Sequence, residues 1–321
     1  MKTTLFILLL TFFLNCSDNS PQKKNPPSLR DVDVAQSFIP EFNGQIAFDY
    51  VKGQTKFGPR NPGSIAHERC LDYLEFEMRK YANAVNLQTF THAGYDGKPL
   101  KMTNVISSFN LQASTRILLV AHWDSRPWAD QDTDPNNQQH PIIGANDGAS
   151  GVAILMEIAR NLKIHPPKVG VDILFVDGED YGKEGDSHNY LLGSKYFATH
   201  LPQGFSPIFG VVVDMVGDKE LQIQKEPTSL KYAPDIVELI WSTAKQLNIY
   251  QFSESLQNSV MDDHVPLNNA GIKTIVLIDF DYPDESNRFW HTMDDTVDKC
   301  SSESLEAVGR VLTHVIYTFT P

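Results

Sequence analysis

The sequence predicts a single α/β domain in which a mostly parallel central sheet carries helices on both faces. Short apolar runs without polar interruption alternate with amphipathic helical stretches, which is typical of parallel strands buried on both sides. A chain of 321 residues with 41% hydrophobic residues is large enough to bury such a sheet. No internal repeat and no linker-like break follows residue 35.

The individual elements follow from the spacing of the apolar residues. Helical periodicity predicts a helix over residues 63–82, and strands are predicted next at 84–91 and 102–109. The apolar runs predict four further strands, at 117–121, 171–176, 209–213 and 274–278. Amphipathic patterns predict four further helices, at 151–163, 194–200, 233–247 and 302–319.

Residues 1–15 have the pattern of an export signal. Lys2 precedes an apolar run over residues 5–14, which is shorter than the roughly 20 residues of a membrane span. Cys16 follows at once, as in bacterial lipoprotein signals; the alternative is an ordinary signal peptide with an incidental Cys. We expect a signal peptide over 1–15, a flexible tether over 16–35 and a folded domain over 36–321. The protein should work in the cell envelope or periplasm, with a lipid on Cys16 as its only membrane attachment.

Charge and cysteine content exclude two classes of protein. The net charge of −13 argues against nucleic-acid binding, which depends on clustered Lys and Arg at phosphates. Three cysteines are too few for a disulfide scaffold, and their spacing fits no zinc knuckle. Export would allow a bond between Cys70 and Cys300, which the sequence neither requires nor excludes.

Acidic and histidine side chains follow three of the predicted strands. Ligands of open α/β sheets bind outside the carboxyl ends of the strands, so these side chains are expected at one rim. A Gly-rich loop with Asp147 and a late segment with His291 are expected to join them. The strand-end residues are His122, Asp124, Glu179, Asp180 and Asp214.

Each of these residues also has a simpler explanation. Asn146 or Asp147 could cap the helix near residue 151, and we expect Asp294 or Asp295 to cap the last helix. Together, however, the rim residues concentrate negative charge that only Arg126 offsets within the motifs. A divalent cation would neutralise that charge, and a mixed set of His and carboxylate ligands suits zinc.

With these motifs, the sequence resembles the zinc aminopeptidase-like superfamily over residues 36–321, and within it the glutaminyl cyclases. The strings FWHTMDD, at 289–295, and MDDHVP, at 261–266, are similar to the cyclase forms. Asp180 departs from the pattern, because the family usually has Glu there. Residues 181–189 also depart, where animal cyclases carry aromatic residues that line the substrate site.

The resemblance implies a zinc-dependent catalytic domain that converts N-terminal glutaminyl residues of peptides or proteins to pyroglutamate with release of ammonia. It implies one zinc ion on Asp147, Asp180 and His291. It also implies Glu179 as the proton carrier. The remaining implied roles are proton handling by Asp262 and Asp214 and stacking on substrate by Trp290. Asp124 is expected to orient His122, because a metal-site His usually donates its other N–H to an acceptor.

Two other functions stay open. A two-zinc aminopeptidase would use a second ligand set, formed by His122, Asp147 and Asp214. A non-catalytic binding lipoprotein is the other alternative, and Glu179 argues against it, since a binding protein needs no base beside the metal. Trp290 could instead be a core aromatic, while Trp123 and Trp128 are further candidates for the substrate site.

Overall fold

The computed structural model describes residues 38–320. The expected signal peptide, tether and Cys16 lie outside the described residues. Eight α-helices occur in this range: α1 (Gly44–Thr55), α2 (Ile65–Tyr81), α3 (Ala149–Ile164), α4 (Leu192–Thr199), α5 (Pro227–Tyr232), α6 (Pro234–Gln246), α7 (His264–Asn269) and α8 (Ser302–Thr318). The strands of the same range are β1 (Ala84–Ala93), β2 (Pro99–Phe109), β3 (Arg116–His122), β4 (Gly170–Val176), β5 (Phe209–Asp214), β6 (Ile223–Lys225), β7 (Phe252–Leu256) and β8 (Thr274–Ile278).

Six strands form the central sheet in the order β1-β2-β4-β3-β5-β8. β3, β4, β5 and β8 are parallel, whereas β2 pairs antiparallel with both β1 and β4. The mostly parallel α/β sheet is therefore confirmed. His122 pairs with Val176, and Asp214 pairs with Ile278, so these strands end at the same edge of the sheet.

Both faces of the sheet are covered. Alternate residues of β3 enter different cores: Leu119 packs in a large cluster with Val152 of α3, whereas Val120 packs with Phe197 of α4 on the opposite face. All four side chains are almost fully buried. Burying a large aliphatic or aromatic side chain contributes about 1.5–3 kcal/mol, which explains why β3 is apolar between Arg116 and His122 at its ends.

The helices and strands predicted from periodicity all occur, with shifts of at most three residues at their ends. Helix α1 was not predicted. It contains two glycines, yet Asn43 caps it by accepting the Ile46 N–H, and it buries Ala47 and Val51. The paired β6 and β7 and the short α5 and α7 were not predicted either.

The state of the two cysteines and the character of the helices bear on disulfide formation and on membrane spanning. Cys70 and Cys300 are both buried free thiols, so they form no disulfide bond with each other. Across residues 38–320, none of the helices combines the length and the apolar character needed to cross a bilayer.

Candidate metal centre at the carboxyl edge of the sheet

The strand ends deliver the predicted side chains to one site. His122 ends β3, Asp214 ends β5, and Asp180 follows β4. His122 Nε2 lies 3.1 Å from Asp147 Oδ1 and 3.1 Å from Asp214 Oδ1. His291 Nε2 lies 3.5 Å from Asp147 Oδ2 and 3.3 Å from Asp180 Oδ1.

These residues form two groups that share Asp147. One group is His122, Asp147 and Asp214, and the other is Asp147, Asp180 and His291. All are buried, and within each group the ligand atoms lie within 4.8 Å of one another. Asp180 Oδ2 is buried and accepts no hydrogen bond from any residue that the structure describes. An imidazole beside carboxylates, one with an unpartnered oxygen, fits zinc, which binds such atoms at about 2.0–2.2 Å.

The loop that carries Asp147 is held by Asp295. Asp295 Oδ1 accepts the Asn146 N–H at 2.8 Å, and Oδ2 accepts the Asp147 N–H at 3.1 Å. The Tyr282 hydroxyl donates to Asp295 Oδ1 at 2.9 Å. Burial, and then the charge of Asp147, raise the pKa of Asp295 to about 7. The expectation that Asp294 or Asp295 caps the last helix is wrong, because Ser301 caps α8.

Neither Asn146 nor Asp147 caps α3. The helix begins after Gly148, whose φ is +95°, and no side chain caps it. A Cβ atom at this glycine would come within 2.6 Å of the Asp124 carbonyl oxygen, so only glycine fits there. The Asn146 side chain instead accepts the Gly217 N–H at 2.7 Å. The Asp147 carboxylate therefore remains directed at the two histidines.

Asp124 organises the loop after β4. Its two oxygens accept the backbone N–H groups of Glu179, at 3.1 Å, and Asp180, at 3.3 Å. Asp124 Oδ1 also lies 3.5 Å from His122 Nδ1, which is longer than a good hydrogen bond. The strong contacts of Asp124 are thus with the loop, a role that the sequence did not suggest.

Glu179 and Asp262 face the same cavity as the ligands. Burial raises the pKa of Glu179 well above its usual range, and the charges of Asp180, Asp263 and Asp262 add to this against the opposing charge of His122. Burial and the charge of Asp214 likewise raise the pKa of Asp262 to about 6. With a pKa of about 6, the Asp262 carboxyl can both take up and release a proton near neutral pH, and the raised pKa of Glu179 favours its uptake of a proton.

Two buried arginines offset the negative charge. Arg126 Nη1 donates to Asp180 Oδ1 at 2.7 Å. Burial alone would raise the pKa of Asp180, but the charges of His291 and Arg126 lower it to about 2. The sequence did not point to Arg60, which lies outside the motifs. Its guanidinium donates to the carbonyls of Ile143 and Gly144, both at 2.7 Å, and so supports the loop before Asp147.

The cavity has a volume of about 310 Å³. Trp290 lines it and stacks on His291, with ring centroids 3.7 Å apart and planes inclined by 24°. Tyr190, directly after the divergent 181–189 segment, lines it as well and was not predicted. The other apolar lining residues are Met215, Val260, Met261, Ile278 and Phe280.

The expectation that Trp123 or Trp128 lines the substrate site is wrong. Trp123 is fully buried, stacks on His67 and donates to the Thr103 carbonyl at 3.1 Å. Trp128 donates to the Gly182 carbonyl at 3.3 Å and packs outside the cavity. Both indoles therefore have a structural role, because each donates its N–H to a backbone carbonyl of the fold.

Comparisons with known proteins show both sequence and structural relatives of this chain. The sequence model of peptidase family M28 matches residues 104–316. Glutaminyl-peptide cyclotransferase-like protein from Bos taurus is 24% identical over 281 residues, which cover 79% of this chain and 70% of that protein.

Two solved structures share the whole domain. Glutaminyl cyclase from Bacteroides thetaiotaomicron, bound to N-acetylhistamine, is 39% identical with a TM-score of 0.84, covering 88% of this chain and 100% of its own. A leucine aminopeptidase precursor from the same organism has the same identity, TM-score and coverage.

Proposed function

This chain belongs to peptidase family M28, and we propose that it is a zinc-dependent glutaminyl cyclase within that family. It converts the N-terminal glutaminyl residue of a peptide or protein to pyroglutamate and releases ammonia. The observation that carries the proposal is the position of Asp262, whose segment resembles the cyclase pattern. Asp262 lines the same cavity as Glu179 and the metal ligands.

Asp147, Asp180 and His291 are the residues that would hold the zinc ion. A bound zinc ion supplies Lewis-acid polarisation of the γ-carboxamide oxygen. The chain's own part is to bring the α-amine and the carboxamide carbon together, because holding two groups in reactive geometry removes much of the entropic barrier. A cavity of about 310 Å³ lies at the small end of ligand sites, which suits the entry of one residue.

Glu179 carries the proton. The amine nitrogen forms a bond to the carboxamide carbon while the bond from that carbon to the amide nitrogen breaks. Glu179 takes a proton from the amine and returns it to the departing nitrogen, so that ammonia leaves. Asp262 and Asp214 line the cavity beside Glu179 and assist its proton exchange. Trp290 packs on the aliphatic part of the glutamine side chain.

A two-zinc aminopeptidase is the second candidate function. It is favoured by the second buried group, His122, Asp147 and Asp214, which could hold another ion. We propose that the cyclase uses only the ion on Asp147, Asp180 and His291. Anomalous diffraction at the zinc edge counts the ions, and two fully occupied sites would favour the aminopeptidase.

The activity test compares two substrates. Purified zinc-loaded protein should release ammonia from a Gln-initiated peptide and lower the peptide mass by one NH3, and it should leave a Leu-initiated amide uncut. The matched control is the same peptide with Asn in place of Gln, which cannot close the same five-membered ring. Release of free amino acids without cyclisation would replace the cyclase by the aminopeptidase.

We also propose that the protein is exported and attached to the membrane by a lipid on Cys16. The support is the sequence alone: Lys2, the apolar run over 5–14 and the Cys directly after it. Cys16→Ser should move the protein from the membrane fraction to the soluble fraction of the envelope and abolish labelling with a radioactive fatty acid. Unchanged membrane attachment of this variant would contradict the lipid anchor.

A further inference from the structure

Arg126 is a buried guanidinium in the loop after β3, with only 1% of its surface exposed. Its Nε and Nη2 atoms donate to the two oxygens of Asp130, at 2.7 and 2.6 Å. Nη2 also donates to the Tyr190 hydroxyl at 2.9 Å, while Nη1 donates to Asp180 Oδ1 at 2.7 Å. The guanidinium therefore joins one proposed metal ligand to Asp130 and to Tyr190, which lines the cavity.

Arg126 contacts only one of the two Asp180 carboxylate oxygens. Oδ1 accepts from Arg126 Nη1 and also lies 3.3 Å from His291 Nε2, whereas the buried Oδ2 accepts no hydrogen bond from residues 38–320. Since the Arg126 fork is already held by Asp130, it fixes the rotation of the Asp180 carboxylate. Without that contact, the carboxylate could turn about its bonds and present either oxygen, or both.

We propose that Arg126 is a positioning residue for the metal: it fixes the orientation in which the Asp180 carboxylate is presented to zinc. This inference rests on the proposed function, because Asp180 is assigned there as a zinc ligand. Asp130, the ion-pair partner of Arg126, also lies near a second proposed ligand, because its Oδ1 is 3.8 Å from His291 Nδ1. Groups that orient metal ligands commonly change metal affinity by roughly 10–100-fold when they are removed.

The test measures zinc affinity in the absence of substrate, by competition with a chelator. Arg126→Met should raise the zinc Kd about tenfold or more, and Arg126→Lys, which keeps the charge but loses the fork, should raise it less. The matched control is Arg116→Met. Arg116 lies at the other end of β3 and forms a similar two-point ion pair with Asp172, at 2.7 and 2.8 Å. This control should leave the zinc Kd unchanged.

A double-mutant cycle separates positioning from general damage. In the Asp180→Ala background, Arg126→Met should change the zinc Kd less than twofold, because no carboxylate remains to be oriented. An unchanged Kd in Arg126→Met, or the full effect in the Asp180→Ala background, would overturn the inference. If Arg126→Met does not fold, an unchanged Kd in Arg126→Lys would overturn it equally. The zinc measurement is independent of turnover, so a failure of the cyclase assay with wild-type protein is a separate result.

Discussion

The backbone N–H of Glu179 donates a hydrogen bond to Asp124 Oδ1 at 3.1 Å, across the ends of two neighbouring strands. The next N–H, that of Asp180, binds the other oxygen of the same carboxylate. The proposed proton carrier and the proposed metal ligand are thus fixed by one side chain. Their adjacent positions on one loop allow a test of which of them binds the metal.

Replacing Glu179 by Gln removes the proton carrier while the loop keeps its backbone bonds to Asp124. Glu179→Gln should keep its zinc and lose roughly two or more orders of magnitude in turnover, as expected when a positioned acid–base group is removed. Zinc per chain and ammonia release from a Gln peptide are the measurements. Glu184→Gln, an exposed acid in the following segment, is the control and should behave as wild type. Loss of zinc in Glu179→Gln would reverse the roles of Glu179 and Asp180.

Substitutions of Asp180 test whether this residue is a metal ligand. Asp180→Ala should cost most of the bound zinc, and the cyclase activity with it, because only Asp147 and His291 would remain in that group. Asp180→Glu should fold and keep zinc but turn over more slowly, since the longer arm meets Arg126 and displaces the ion relative to Glu179. Asp294→Ala, an exposed acid near His291, serves as the control. An Ala variant with stoichiometric zinc and an undiminished rate would show that Asp180 is not a ligand.

The sequence predicts most of the sheet and of the rim because both depend on local patterns. Buried parallel strands appear as uninterrupted apolar runs, and polar residues mark where each run ends. His122 and Asp214 could therefore be assigned to one edge before any contact was known. Helix α1 escaped prediction because its amphipathic pattern is weak, and only packing against the rest of the fold makes it a helix.

What the sequence could not predict are contacts between distant segments. Asp295 precedes a helix, where capping is the common role of an aspartate, but its partner is Asp147, 148 residues earlier. Arg60 lies in a loop with no charge pattern around it, yet its donors meet carbonyls of a loop more than 80 residues away. Both roles exist only because the fold brings buried polar groups together, where each must be paired.

Removing the support of Asp295 should destabilise the fold. Three donors bind the two carboxylate oxygens of Asp295. Asp295→Asn replaces one of these oxygens by an amide NH2 group, so at least one buried N–H or hydroxyl loses its acceptor. Such a loss costs about 1–3 kcal/mol. Urea unfolding should therefore show a lower free energy of unfolding than wild type. Asp294→Asn, next to it and exposed, should match wild type, and equal stability of the two variants would contradict the support role.

Asp279, just after β8, should make the stability of the protein depend on pH. It is 2% exposed and accepts the backbone N–H groups of Gln222, at 2.7 Å, and Asp281, at 3.2 Å. Burial nevertheless raises its pKa to about 7, whereas the unfolded chain has an ordinary aspartate pKa of about 4. The folded chain thus binds the proton more tightly in this interval. The contribution of Asp279 to stability is present below the unfolded pKa and is lost as pH rises towards 7.

Asp279→Asn should remove this slope, because the amide does not titrate. Between pH 5 and pH 8 the free energy of unfolding of wild type should fall by about 2 kcal/mol more than that of the variant. The free energies of unfolding at the two pH values are compared within each protein. Any change in stability that the amide causes equally at both pH values therefore cancels. Glu285→Gln, an exposed acid six residues further on, should keep the wild-type slope. Identical slopes in wild type and Asp279→Asn would mean that Asp279 is already ionised in the folded protein at pH 5.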